Sequence, residues 1–174
     1  MKIRLTNYQE HWPLDFEKEV SFLQSIFQNV EIRFEHFGST AVKGMKAKPV
    51  IDIIAIVQDI KFILSYDNLL IANGYESAGE WGIEGRRLYR KGGENRTHHI
   101  HIYQFDNPQI ERHLVVRDYL RVHPLEVETY NQIKTELAAK CDDTREYSRA
   151  KKEFVNELEK RAYSWFINEV KNEV

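Results

Sequence analysis

From Val50 to Val57 the chain reads Val-Ile-Asp-Ile-Ile-Ala-Ile-Val, an apolar run rich in branched side chains and broken by a single acid, Asp52. A strand with one wet face would alternate, and this run does not. It fits a strand buried on both faces. Desolvating a carboxylate is costly, so Asp52 needs a partner or a ligand. Pro49 holds Lys48 extended at the head of the run. Upstream lie Gly38, Ser39 and Thr40, small residues whose amides and hydroxyls can hold an anion. A phosphate-holding turn followed by an acid on a central strand suits phosphate chemistry with a divalent metal. The same three residues also fit a plain strand-to-helix cap.

The rest of the chain can be placed around this stretch. Residues 2–5 alternate and predict a short strand. Trp12, Phe16, Val20, Leu23 and Phe27 recur at helical spacing, with Pro13 tolerated in the first turn. Ile32 to Phe37 alternates as a strand leading into the Gly-Ser turn. Phe62 to Ala72 predicts a helix closed by Asn73-Gly74. Tyr75–Ala78, Arg86–Lys91 and Thr97–Phe105 read as strands, separated by glycines at 79, 82, 85, 92 and 93 that make either plain turns or a lid. Asn107-Pro108 then opens a helical region, with helices expected at 108–122, 124–141 and 143–172. The layout is α+β: a mixed sheet with helices over 1–107 and a helical region over 108–174 packed on it as one unit.

Composition narrows the function classes. A formal charge of −2 gives no global field for nucleic acid or an anionic membrane, though it allows a local basic patch. A single cysteine, Cys141, makes an internal disulfide and a cysteine metal site impossible, and a buried or half-buried helical position is expected for it. The first residues lack the apolar core of a signal peptide, and no run approaches the ~18 apolar residues of a membrane span. A cytoplasmic protein is therefore expected.

Thr97-His98-His99-Ile100-His101-Ile102-Tyr103 is the second informative stretch. As a strand it sends His98, Ile100 and Ile102 to one face and His99, His101 and Tyr103 to the other. With Ile100 and Ile102 facing a core, His99 and His101 form either a metal or phosphate pair or a half-exposed structural pair. Two-metal nucleotidyl transfer wants a second acid two residues beyond the first, and Ile54 stands there. Asp52, His99 and His101 are therefore the candidate ligands for Mg²⁺ or Mn²⁺, or for Zn²⁺, and the histidines are candidate bases. Gly38, Ser39, Thr40, Lys48, Arg86, Arg87, Arg117 and Arg121 are the candidates for phosphate binding. Alternation gives only one of Arg86 and Arg87 to the site face. Arg117 and Arg121 share a helical face and fit either a ligand or structural ion pairs. His36 either orients the turn, meets a phosphate, or is a buried core residue.

On these blocks the chain resembles the GrpB family, which is placed in the nucleotidyltransferase-fold superfamily. The resemblance rests on His36 through Ile53, Gly74-Tyr75, Thr97 through Ile102, Arg117 through Pro124, and the later Tyr130, Lys134, Tyr147 and Lys151. It maps the superfamily Gly-Ser onto Gly38-Ser39 and the first metal acid onto Asp52, with the second acid position falling on Ile54. The strand with His99 and His101 is expected where the third acid normally sits. A related domain occurs fused to dephospho-CoA kinase in some bacteria, which points to nucleotide or coenzyme partners. The resemblance and the residues together imply metal-dependent nucleotidyl transfer from a nucleoside triphosphate to a small molecule. The alternatives are a non-catalytic module binding a nucleotide or phosphorylated metabolite, and a single-metal His/Asp hydrolase.

Overall fold

The computed structural model describes residues 2–173. Helix α1 (Trp12–Ile26) leads into strand β1 (Ile32–Phe37), a short 3-10 turn at Ser39–Ala41, and strand β2 (Ile51–Val57). A 3-10 segment (Ile60–Tyr66) and helix α2 (Asp67–Ala72) return the chain to strands β3 (Tyr75–Ser77), β4 (Arg87–Lys91) and β5 (His98–Gln104). Helices α3 (Pro108–Val122), α4 (Pro124–Lys140) and α5 (Thr144–Trp165) complete the chain, the last running on into a π-type turn at Phe166–Val170. The sheet order is β1-β2-β5-β4-β3, with β2 and β5 parallel and the other neighbours antiparallel. This is the expected α+β architecture, a mixed sheet followed by a helical region.

β2 lies inside the sheet and is covered on both faces, which is why its sequence does not alternate. Ile51, Ile53, Ala55 and Val57 pack with Trp12, Leu23, Phe27, Ile63 and Leu70 from α1 and the region of α2. Ile54 and Ile56 face the other way, with Phe37, Tyr103 and Ile110. A third cluster joins Val42 and Met45, just past the Ser39 turn, to Val115, Tyr119, Val127, Tyr130, Leu158 and Ala162 of α3, α4 and α5. Burying a side chain of this size contributes about 1.5–3 kcal/mol. The helical region is thus fastened to the very loop that connects the candidate phosphate turn to β2. Helix ends follow the sequence: Asn107 and Asp143 accept from the first amides of α3 and α5, caps worth about 1 kcal/mol each.

Three local expectations need correction. Residues 2–5 form no strand; only Thr6 pairs, in a single bridge with Ala47. Four alternating residues are too few to hold a register without a neighbouring ladder. The helix expected over 62–72 is a 3-10 segment followed by a six-residue α-helix, because Asp59 caps an early turn by accepting from Lys61 N. The last helix gives way to the π-type turn after Trp165 rather than running to 172. Cys141 is half-buried, at the C-cap of α4. No helix among the described residues is long and apolar enough to cross a membrane.

Candidate functional site

The parallel pairing of β2 with β5 sets Asp52 beside His99, and Ile54 beside His101. Asp52 Oδ1 lies 3.4 Å from His99 Nδ1 and 3.3 Å from His101 Nε2. One ligand atom from each of the three side chains falls within 4.8 Å of the other two. The two sequence stretches therefore meet as expected. Gly38 closes the other side of the carboxylate. Its φ is +75°, and a Cβ there would stand 3.0 Å from Asp52 Oδ2. Only glycine allows both that backbone and that approach.

Hydrogen-bond chemistry defines the state of His101. Arg86 Nη1 lies 3.3 Å from His101 Nδ1, and a guanidinium only donates. Nδ1 is then the acceptor, and the imidazole proton sits on Nε2, donated to Asp52. Burial pushes the His101 pKa down against the pull of Asp52, which agrees with a neutral ring. Burial works to raise the Asp52 pKa, but the hydrogen bonds from His101 and then His99 outweigh it and hold the carboxyl below the usual carboxylate range. A carboxylate with a neutral imidazole is the protonation state a metal ion requires. His99 Nε2 is buried and has no hydrogen-bond partner. One oxygen and two nitrogen donors suit Mn²⁺, Zn²⁺ or another first-row ion better than Mg²⁺, which prefers oxygen. Arg86 opposes such an ion. An imidazole that gives its Nε2 lone pair to a metal carries its proton on Nδ1, where it would meet the Arg86 donor.

Beside these three residues opens a cavity of about 650 Å³. Its lining includes nine lysines and arginines, namely Lys2, Arg4, Lys48, Arg86, Arg90, Arg96, Lys134, Arg145 and Lys151, and one acid, Asp52. The chain as a whole carries a formal charge of −2, so this concentration of cations is local. Ser39 at its floor accepts a hydrogen bond of 2.6 Å from Lys134 Nζ, which also donates to the Lys46 carbonyl at 2.7 Å. Lys134 is 2% exposed. Burial, then the charge of Lys151, lowers its pKa well below the ordinary lysine value. Lys151 is pushed down to about 8, by burial first and then by Lys48, while Asp52 pulls it up.

Of the residues expected at the site, Gly38, Ser39, Thr40, Lys48, Asp52, Arg86, His99 and His101 line the cavity. Arg87, Arg117, Arg121 and His36 are not among its lining residues, and each has a structural task. Arg87 pairs with Ile102 across the β4–β5 ladder, so its side chain leaves from the α1 face. Arg117 donates to Glu35, at 2.8 Å, and to the His36 carbonyl. Arg121 donates to the Ala41 carbonyl at 3.0 Å. These two arginines brace the candidate phosphate turn from behind. His36 is buried, stacks on Phe16, and contacts Thr40 Oγ1 through Nε2 at 2.9 Å. Burial lowers its pKa to about 4, so it orients the turn as a neutral ring. Lys134 and Lys151 belong to the blocks that carry the resemblance but are not among the expected site residues. Their sequence signal is a lysine set within an apolar helical face: Val127, Tyr130 and Lys134 on α4, and Tyr147, Lys151 and Phe154 on α5.

Comparison with known proteins agrees with this layout. The profile of the family described as GrpB protein matches residues 2–161. UPF0157 protein YqkA of Bacillus subtilis is 41% identical over 165 residues, which cover 94% of this chain and 48% of that protein. The chain thus spans about half the length of that relative. The glutamate-rich protein GrpB of Alkalihalophilus pseudofirmus is 32% identical over 163 residues, covering 90% of this chain and 94% of its own. The crystal structure of the conserved protein GrpB from Enterococcus faecalis superposes with a TM-score of 0.89 at 42% identity, over 94% of this chain and 99% of that one. The turn, the acid strand, the histidine strand and the lysine-bearing helices all lie within the matched span, and the chain belongs to the GrpB family.

Proposed function

We propose that the cavity binds a nucleoside triphosphate or a similarly phosphorylated small molecule. The observation that carries this reading is the charge of the lining: nine cations and one carboxylate, with Arg90 and Arg96 alone paired outside it, to Glu76, among the contacts of 4 Å or less between lining cations and acids of the described residues. Such a surface repels itself when empty and is relieved by a polyanion. Ser39 and Lys134 would hold the phosphates at the floor, with Lys48 and Lys151 countering their charge. Asp52, His99 and His101 would hold one divalent ion, of the Mn²⁺ or Zn²⁺ type, which would screen the phosphates and polarise them as a Lewis acid.

Binding is favoured over two-metal transfer. Ile54 is fully buried beside Phe37 and Tyr103, and Asp52 is the only acid in the lining among the described residues. One observation supports a second reading, single-metal nucleotidyl transfer: His99, whose Nδ1 faces Asp52 at 3.4 Å, keeps its other nitrogen, Nε2, buried and unpartnered, and a site built for binding alone has no need of it. Thermal unfolding with each nucleoside triphosphate, with and without Mn²⁺, tests the first reading. Hundredfold ligand excess over Kd should stabilise the fold by about 2.7 kcal/mol. Absence of any shift would count against binding. Pyrophosphate release in the presence of small-molecule acceptors would separate transfer from binding.

A further inference from the structure

The connection from β3 to β4 holds an aromatic side chain where folding gains little from it. Trp81 is 64% exposed and lines the cavity that contains Ser39 and Asp52. Its φ is +45°, the one positive value outside glycine among the described residues. Bulky side chains avoid that region, so the turn keeps its tryptophan at a conformational cost. Gly79 and Gly82, also at positive φ, flank it. One face of the indole is covered: the Arg90 guanidinium carbon stands 4.7 Å from the ring centroid, and Arg90 is itself anchored to Glu76 at 2.7 Å.

The turn is also tied to the chemistry of the site. Arg86 donates through Nη2 to the Trp81 carbonyl at 2.8 Å and through Nε to the Glu80 carbonyl at 3.1 Å. Its Nη1 reaches His101. A single guanidinium therefore ties the backbone that carries Trp81 to His101. A second brace closes the turn, Gly85 N donating to the Glu80 carboxylate. The tryptophan is held in place at a cavity whose volume suits a ligand larger than a bare phosphate chain.

We propose that Trp81 is the stacking platform for a planar aromatic ring on the ligand, a nucleobase, with Arg90 behind the indole and the phosphates lying toward Ser39 and Lys134. This rests on the reading of the cavity as a polyphosphate site and extends it to the part of the ligand that carries identity. Exposed indoles stack on any base, so Trp81 supplies affinity for a base and only modest choice among bases.

The test compares the four ribonucleoside triphosphates with inorganic tripolyphosphate, each with Mn²⁺, by calorimetric titration of the full chain and of its Trp81→Ala and Trp81→Phe variants. At least one nucleoside triphosphate should bind tenfold or more tightly than tripolyphosphate. Trp81→Ala should erase that advantage and leave tripolyphosphate binding unchanged, and Trp81→Phe should retain part of it. Quenching of tryptophan fluorescence by the nucleotide should vanish with Trp81, because Trp12 is 1% exposed in the core and Trp165 packs against Tyr119 and His123. Equal affinity for nucleotides and tripolyphosphate in the unaltered chain overturns the proposal. So does an equal loss of both in Trp81→Ala, or a nucleotide affinity that Trp81→Ala leaves intact. Failure of every probe, tripolyphosphate included, overturns the polyphosphate reading and this one with it.

Discussion

Strand β5 sends histidines to both faces of the sheet, and each face pairs them with an acid. On the α1 face Glu19 accepts from the Tyr75 hydroxyl, from Lys91 Nζ at 2.9 Å, and faces His98 Nε2 at 3.6 Å. On the other face Asp52 has, among the described residues, only His99 and His101 as side-chain partners, at 3.4 and 3.3 Å. Glu19 is 7% exposed and lies outside the cavity lining, whereas Asp52 lines it. Both arrangements are acid-histidine clusters in the same sheet. A buried carboxylate supplied with a hydroxyl and an ammonium is fully used, and its role is to tie α1 to β3, β4 and β5. A carboxylate left with two long imidazole contacts, a glycine in place of a side chain, and an open cavity has capacity to spare for a ligand.

Substitutions should separate the two clusters. Glu19→Ala strands Lys91 and Tyr75 in a buried setting. It should lower the unfolding free energy by about 2–3 kcal/mol, measured by denaturant titration, and leave ligand affinity intact. Asp52→Asn keeps the shape of the side chain and an oxygen that still accepts from His101, so it should destabilise less than Glu19→Ala, yet abolish any Mn²⁺-dependent shift in unfolding. If Asp52→Asn proves the more destabilising of the two, the contrast between the clusters is wrong.

Arg86→Met probes the metal-facing cluster further. Removing the donor at His101 Nδ1 and a nearby positive charge should tighten Mn²⁺ or Zn²⁺ binding by about tenfold while weakening phosphate binding. Weaker metal binding in this variant would show that Arg86 supports the ion rather than opposing it.

The smallest expected effect is on pH. Lys151, at about 8 in the free protein, is held charged by a bound anion, which raises its pKa. Anion affinity should therefore be full below pH 8 and fall as pH rises through that value, by up to about tenfold per unit. Stability of the unliganded chain runs the other way. Between about 8 and the ordinary lysine value the unfolded chain holds more protons, so stability rises with pH across that window. Lys151→Met should remove the part of both profiles centred near pH 8 and leave the part due to Lys134.

Much of this site is legible in the amino-acid sequence, because β-strand geometry is strict. Period-two alternation puts His99 and His101 on one face, and an apolar run around Asp52 requires a central strand. Those two inferences nominate the three residues; the parallel pairing of β2 with β5, with Asp52 beside His99, is what brings them together. Alternation also allows only one of Arg86 and Arg87, and Arg86 is the one that lines the cavity, from the residue before β4 begins. Helices are less forthcoming. Arg117 and Arg121 share a helical face, but nothing in their spacing says that they would donate to Glu35 and to the carbonyls of His36 and Ala41. Lys134 and Lys151 line the cavity through the packing of the helical region on Val42 and Met45, a tertiary event that no local pattern reports.

The site and the structural cluster are separated most directly by calorimetric titration of the chain with Mn²⁺–ATP at pH 7. The titration is run on the unaltered protein, on Lys134→Met and on Glu19→Gln, with folding of each verified by thermal unfolding. One nucleotide should bind per chain. Affinity should fall by about tenfold or more in Lys134→Met, where the ammonium on Ser39 is gone, and stay unchanged in Glu19→Gln. No binding to the unaltered chain, or an equal loss in both variants, would contradict a polyphosphate site at Ser39 and Asp52.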